Sequence, residues 1–173
     1  MYRAKTITND DILFVLDNLR EEDRIECQLS RGVNYKKLIL DDFMRFSPSD
    51  FILLAKTKNE DIPVLIAGAC SLDNQEQIGS VFLLSTPEIE KHQICFLREM
   101  KKELEKYDEK FSFLFNKIYK TNKLAKNWLK WAGFIFPQEQ LKPNFIDKEF
   151  LKLEIPKDFE FFYRERKIKG LGE

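Results

Sequence analysis

Apolar positions follow two periods along this chain, and the switches between them mark its elements. After a short strand predicted at Tyr2–Thr6, Thr8 precedes Ile12, Val15, Leu16 and Leu19 at helical spacing. Thr8 is placed to cap that helix, with Asp11 in its first turn. Leu19–Cys27 is dense in charge and continues helically or turns there. Tyr35–Phe46 predicts a second helix, ended by Ser47 and Pro48. The period then shortens to two. Phe51–Thr57 and Ile62–Leu72 flank the polar turn Lys58–Asp61 as a β-hairpin, with Gly68 read as a bulge in its second strand. Ile78–Thr86 reads as a third, heavily buried strand, and Pro87 ends it.

Helical spacing returns over residues 93–107 through Leu97, Met100, Leu104 and Tyr107, and Phe111–Tyr119 alternates as a strand. Asn122–Phe134 carries the densest local signal. Asn122 is a favoured N-cap. Leu124, Trp128 and Trp131 fall on one helical face, expected to pack on the core, with Lys123, Lys126 and Lys130 mostly opposite. Gly133 is free to take positive φ and close the helix, so that Phe134 begins a strand. Phe150–Ile155 alternates cleanly and is expected to pair back as a hairpin. Together these elements predict a single α/β (α+β) domain over residues 1–156. Its mixed, mainly antiparallel sheet of about seven strands is flanked by about four helices, and residues 157–173 form a C-terminal extension.

Composition narrows the function. A chain of 173 residues suits one domain with a real core, and its 16 phenylalanines predict a core of aromatic rings. The 29 basic and 29 acidic residues cancel, which argues against a broad nucleic-acid-binding face. Cys27, Cys70 and Cys95 are widely spaced, without a C-x-x-C pair, so neither a disulfide framework nor a metal site is expected. No apolar run reaches the length of a membrane span, and residues 1–20 are too charged for a signal peptide. Synthesis and folding in a cytoplasm are the expectation.

The spacing within Asn122–Phe134 resembles the late N-x-x-A … G-F segment of the GNAT acyltransferase fold, and the element order is similar to that family's. Leu19–Glu26, Gly79–Thr86 and Asn122–Phe134, in that order, are similar to the GNAT-like proteins of tailed phages, including internal virion proteins of short-tailed phages. The resemblance covers residues 2–136 and, more loosely, the chain to residue 156. It implies a fourth and fifth strand that splay apart, with acetyl-CoA in the cleft between them. On that pattern the backbone of Phe82, Leu83, Leu84 and Ser85 would align the pantetheine arm, and Asn122 would hydrogen-bond it.

The chemistry the resemblance implies is incomplete. A GNAT diphosphate loop has the form Q/R-x-x-G-x-G/A, in which glycines let phosphates approach helix N-terminal amides. The corresponding segment, Ser85–Gln93, contains no glycine and carries Glu88 and Glu90. Each carboxylate would repel the ligand by about 1 kcal/mol if solvent-screened. The tyrosine that many members use as general acid is replaced by Leu129, which cannot donate a proton. Tyr119 is the nearest alternative acid, and water or Glu88 the alternative base.

Other constellations are weaker still. His92, the only histidine, would need Ser85 or Ser80 and Glu88 or Glu90 for a triad. Cys95 at a helix start reads as a small buried residue. Arg20 and Arg24, with the acids between them, read as a surface salt-bridge ladder or as a partner-docking face.

The expectation is therefore a phage virion-associated or virion-assembly protein with a degenerate acetyl-CoA site, needing no cofactor. It would be made in the host cytoplasm, incorporated in the virion or acting during assembly, with other phage structural proteins as partners. The alternative is an active N-acyltransferase moving an acyl group from acyl-CoA to an amine.

Overall fold

The computed structural model describes residues 1–4, 6–45, 51–72, 75–137 and 155–166. Three helices lie between the first strand and the rest of the sheet, one more than the periodicity predicts. α1 (Asn9–Asp17) begins with a complete capping box, in which the Thr8 hydroxyl accepts from the Asp11 amide and the Asp11 carboxylate accepts from the Thr8 amide. Asn18 ends it. Arg20 then takes an extended backbone, and Glu21–Arg31 restarts as α2 with Glu21, Glu22 and Asp23 in its first turn, where acids complement the helix dipole. The charge-dense segment is thus a helix of its own. α3 (Tyr35–Phe43) follows.

β1 (Tyr2–Arg3), β2 (Phe51–Lys56), β3 (Pro63–Leu72), β4 (Gln75–Ser85), β5 (Phe113–Tyr119) and β6 (Phe159–Glu165) form one sheet in the order β1-β2-β3-β4-β5-β6. All neighbours are antiparallel except β4 and β5, which are parallel. The parallel connection is made by a 3-10 helix, Pro87–His92, and α4 (Gln93–Lys110). α5 (Lys123–Trp131) follows β5.

The strand count corrects the expected seven to six among the described residues. Phe134 does not open a strand: that segment contributes only an isolated bridge between Ile135 and Tyr163. The predicted strand Phe150–Ile155 lies outside the described residues except for its last position. The partner antiparallel to β5 is β6, within the segment expected to be an extension. Phe159 and Phe162 are buried there, so apolar side chains draw this stretch into the sheet. Gly68 is not a bulge; it pairs in register with Ile52 and Phe82, and the irregularities fall at Ala55/Lys56 and Ser71/Leu72.

Alternation along the central strands gives the sheet two buried faces. Leu65, Ala67, Ala69 and Val81 pack with Phe96, Leu104, Trp128 and Phe162 on the α4–α5 side. Ile66, Phe82 and Leu84 pack with Val15, Leu16, Cys27 and Ile39 on the α1–α3 side. The result is a helix–sheet–helix sandwich. Gly79 sits where β4 meets β5: a Cβ there would lie 2.9 Å from carbon atoms of Leu114 and Phe111. The Trp pair divides, with Trp128 6% exposed and Trp131 53% exposed, so Trp131 is not the core residue its spacing predicts.

Candidate functional site: a cleft between parallel strands

β4 and β5 pair only at Ile78–Phe113, Gly79–Leu114 and Ser80–Phe115. Beyond Ser80 both strands continue, to Ser85 and Tyr119, without pairing to each other. Backbone groups of a strand alternate between its two neighbours. Thr86 donates its amide to Val64, which fixes the even positions of β4 toward β3. Val81, Leu83 and Ser85 therefore turn their N–H and C=O groups toward the gap. Two of them are met by the protein itself. The Val81 carbonyl accepts from the Asn116 side-chain amide, and Ser85 receives the Arg20 amide on its carbonyl at 2.9 Å and donates its own amide to Asp23 at 3.1 Å. Leu83, between them, presents its amide and carbonyl to the gap.

The gap opens into a cavity of about 620 Å³ that reaches both faces of the sheet. Its walls include Phe82, Leu83 and Leu84 from β4, Met100 and Trp128 from the α4–α5 side, and Ile39 and Phe43 from α3. α2 supplies the polar wall. Arg20, Asp23 and Glu26, spaced three apart, reach the two separated strands. The buried Arg20 guanidinium holds Asp23 at 2.7 Å, donates to the Ser85 hydroxyl at 3.0 Å, and lies 5.5 Å from the Trp128 ring centroid. Asp23 also accepts from the Ser85 hydroxyl at 2.7 Å and from Asn122 at 3.2 Å. A buried ion pair with every lone pair occupied is a clamp, because loss of either partner strands a charge in the core.

Glu26 does the corresponding work at the other strand with less support. Its carboxylate accepts the Tyr119 amide of β5 at 3.1 Å. Burial pushes its pKa up to about 7, against the Tyr119 hydrogen bond; the Asp23 charge adds to the rise and Arg20 opposes it. The neighbouring Cys27 thiol is pushed up by burial to about 12, which leaves it unreactive.

The residues singled out in the sequence divide. Phe82, Leu83, Leu84 and Asn122 line the cavity, and Ser85 closes its end. Asn122 is committed on both sides of its amide: its oxygen accepts from Ala125 at 3.3 Å and Arg20 at 3.4 Å, while its nitrogen serves Asp23. Tyr119 donates its backbone amide to Glu26 on the cavity wall, and its ring packs 6.1 Å from that of Phe159. Glu88 lies on the 3-10 helix, its carboxylate held below the usual range by a hydrogen bond from Lys91, with His92 at 3.4 Å. Ser85 bonds to Asp23 and Arg20, so no triad with His92 assembles. Cys95 is exposed, contrary to the buried role its position suggests.

Arg20 corrects the surface-ladder reading: it is 2% exposed, while Arg24 alone pairs with Glu21 on the surface. Asp23, read as part of a solvated acidic run, is buried, and Glu26 was not singled out. The available signal was the three-residue spacing of Arg20, Asp23 and Glu26 beside Cys27, one helical face mixing charge with an apolar thiol. Among the described residues, no group of three or more His, Cys, Asp or Glu is placed to hold a metal, and no helix is long and apolar enough to cross a membrane.

Solved structures of similar fold include N-acetyltransferases. Spermidine N-acetyltransferase from Vibrio cholerae, in complex with CoA and spermine, superposes with a TM-score of 0.62 at 8% identity, covering 94% of each chain. Ribosomal-protein-alanine N-acetyltransferase from Brucella melitensis gives 0.59 at 13% identity, covering 95% of this chain and 99% of that one. The ribosomal-protein-S18-alanine N-acetyltransferase from Escherichia coli gives 0.59 at 11% identity, covering 99% and 97%. No protein-family model matches the sequence, and no curated protein matches it. The chain has the GNAT fold.

Proposed function

We propose that this chain is a GNAT-fold N-acyltransferase that grips its acyl donor by the pantetheine arm, in the cleft between β4 and β5. The observation that carries this reading is the Leu83 amide and carbonyl facing a cavity between two strands that have stopped pairing. An extended chain bearing amide groups is what such an unpaired edge recognises. The donor's thioester would supply the activated acyl carbon. Phe82, Leu83 and Leu84 would position the arm, and the apolar walls would keep water from the thioester.

The diphosphate end of CoA finds no comparable cradle. At the start of the 3-10 helix the Thr86 amide is given to Val64, Pro87 has none, and the Ile89 amide returns to Thr86. Three of the first four positions there therefore offer no free amide, and Glu88 and Glu90 add negative charge. Recognition would therefore rest on the arm, so acetyl-CoA and acetyl-pantetheine should bind with comparable affinity. A native-state ligand at a hundred times its Kd stabilises by about 2.7 kcal/mol. Millimolar acetyl-CoA is expected to raise the melting temperature by several degrees, and an unchanged melting temperature with no heat in calorimetry would remove this reading.

A second reading rests on that same missing cradle. A GNAT fold without a diphosphate site suits a tailed-phage virion-associated or assembly protein that uses the fold for packing against other structural proteins, in line with the resemblance of Leu19–Glu26, Gly79–Thr86 and Asn122–Phe134. Mass spectrometry of purified particles tests incorporation: peptides of this chain are expected on this reading, and their absence would discard the virion-component role.

A further inference from the structure

α5 is a wall of the cleft on one side and open to solvent on the other. Asn122 at its cap, with Ala125, Trp128 and Leu129, lines the cavity. Lys123, Asn127, Lys130 and Trp131, spaced i, i+4, i+7 and i+8, form the exposed stripe of the same helix. Charge on this stripe has one sign. Residues 110–137 carry six lysines and no aspartate or glutamate, although the whole chain balances 29 basic against 29 acidic residues. Lys126, at the edge of the stripe, is neutralised by Glu160 of β6 at 2.6 Å. Lys123 and Lys130 have no ion pair among the described residues. Lys120, exposed in the turn before α5, donates to the Lys157 carbonyl and not to a carboxylate. Trp131 and, beyond it, Ile135 are both half-exposed at the far end of the stripe. An exposed indole flanked by unmatched cations has the make-up of a protein contact.

The cleft supplies the second observation. Its unpaired strand edge suits a pantetheine arm, while the 3-10 helix offers a diphosphate little. Two kinds of donor present an acyl group on such an arm. CoA adds a diphosphate and an adenosine; an acyl-carrier protein adds one phosphodiester and an acidic protein surface. A lysine face with an exposed tryptophan, on the very helix that walls the cleft, matches the second. We propose that the outer face of α5 docks an acidic acyl-carrier protein, whose acylated arm reaches into the cleft between β4 and β5. The arm rests on the acyltransferase reading above; the docking face stands on charge and exposure alone.

Docking and arm insertion are joined by one covalent tether, so each raises the effective concentration of the other, and their combined affinity exceeds either alone. Lys123 and Lys130 would steer the acidic surface onto α5, an effect that weakens as salt screens them. Trp131 would give the contact an apolar anchor. Nucleic acid would match the lysines but leaves the cleft unused, and a chain with balanced charge lacks the basic excess that backbone phosphates select.

The test uses a bacterial acyl-carrier protein with the full chain, once acetylated on its arm and once in the apo form without the arm. Acetyl-pantetheine and acetyl-CoA serve as small donors, and a single-stranded oligonucleotide as the polyanion control. In low-salt calorimetry the acetyl-carrier should bind on the order of 100-fold tighter than acetyl-pantetheine. The apo-carrier should bind weakly, and both carrier forms should lose affinity as salt is raised. Lys123→Glu combined with Lys130→Glu should remove the carrier's advantage and leave acetyl-pantetheine binding unchanged; thermal melts check that the variant folds. The Trp131 indole N–H resonance, assigned with Trp131→Phe, should shift with the apo-carrier and stay in place with acetyl-pantetheine. Acetyl-carrier binding no tighter than that of acetyl-pantetheine, or an advantage that survives the double reversal, would overturn the proposal. So would oligonucleotide binding tighter than that of the apo-carrier, which would give the face to nucleic acid. The two readings fail separately. If neither small donor binds while the apo-carrier still moves Trp131, the arm site falls and the docking face stands; if the small donors bind and the carrier adds nothing, the docking face alone falls.

Discussion

The two walls of the cleft are held by carboxylates three residues apart on α2, and the two are not equivalent. At the β4 wall Asp23 takes a guanidinium, a hydroxyl, a backbone amide and a side-chain amide. At the β5 wall Glu26 takes the Tyr119 backbone amide and a hydrogen bond from the Asn122 side chain, and faces a cavity. The first is ion-paired and closes the end of the cleft; the second has no ion pair among the described residues. The same helix face therefore carries a buried ion pair in one turn and a buried carboxylate without one in the next. What separates them is whether a cation of the protein's own is within reach.

The largest effect should come from breaking the clamp. Arg20→Ala leaves Asp23 buried and unpaired, and should destabilise the fold by about 3–5 kcal/mol in urea denaturation. A smaller loss would mean that solvent reaches Asp23. Glu26→Gln should act in the opposite direction. Its folded pKa is raised from 4.5 to about 7, so the folded state binds the extra proton between those values. Wild-type stability from this group is fully present below pH 4.5 and falls as pH rises through 7. The total, at 1.36 kcal/mol per unit, is up to about 3 kcal/mol. Glu26→Gln should thus be more stable than wild type at pH 8 and equal to it near pH 4.5. A difference independent of pH would place the Glu26 carboxylate in water.

Next in size is the hinge of the cleft. Gly79→Ala pushes a methyl against Leu114 and Phe111 where the last β4–β5 pairs form, and should cost about 1–3 kcal/mol by calorimetry. A neutral result would show that those side chains can move aside. Smallest is the surface: Arg24→Ala removes the exposed Glu21 pair, and its melting temperature should match the wild type. A clear fall there would restore the ladder reading that Arg20's burial displaced.

The sequence made the scaffold legible and the polar wall largely invisible, for physical reasons. Thr8, Asn122 and Gly133 act locally, through hydrogen bonds and a backbone φ that involve neighbours in the chain, so their roles are readable from a few residues. Phe82–Leu84 and Asn122 were legible as cavity residues through resemblance. Arg20 was not, because its partners Ser85 and Asn122 lie 65 and 102 residues away, and a charge-rich helix start normally faces water. Glu26 depends on Tyr119, 93 residues distant. The strand β6 was misread for a related reason. Its charges resemble a tail, yet Phe159 and Phe162 are buried on opposite faces of the strand that pairs with β5.

The account turns on the unpaired edge of β4 as the place where the donor's arm lies. The direct measurement is a ¹H–¹⁵N NMR titration of the ¹⁵N-labelled protein with acetyl-pantetheine, which lacks the diphosphate altogether. The Leu83 amide is expected to shift in a saturable manner, with the Ser85 amide, already bonded to Asp23, moving least. An unchanged Leu83 resonance at millimolar ligand would contradict the account.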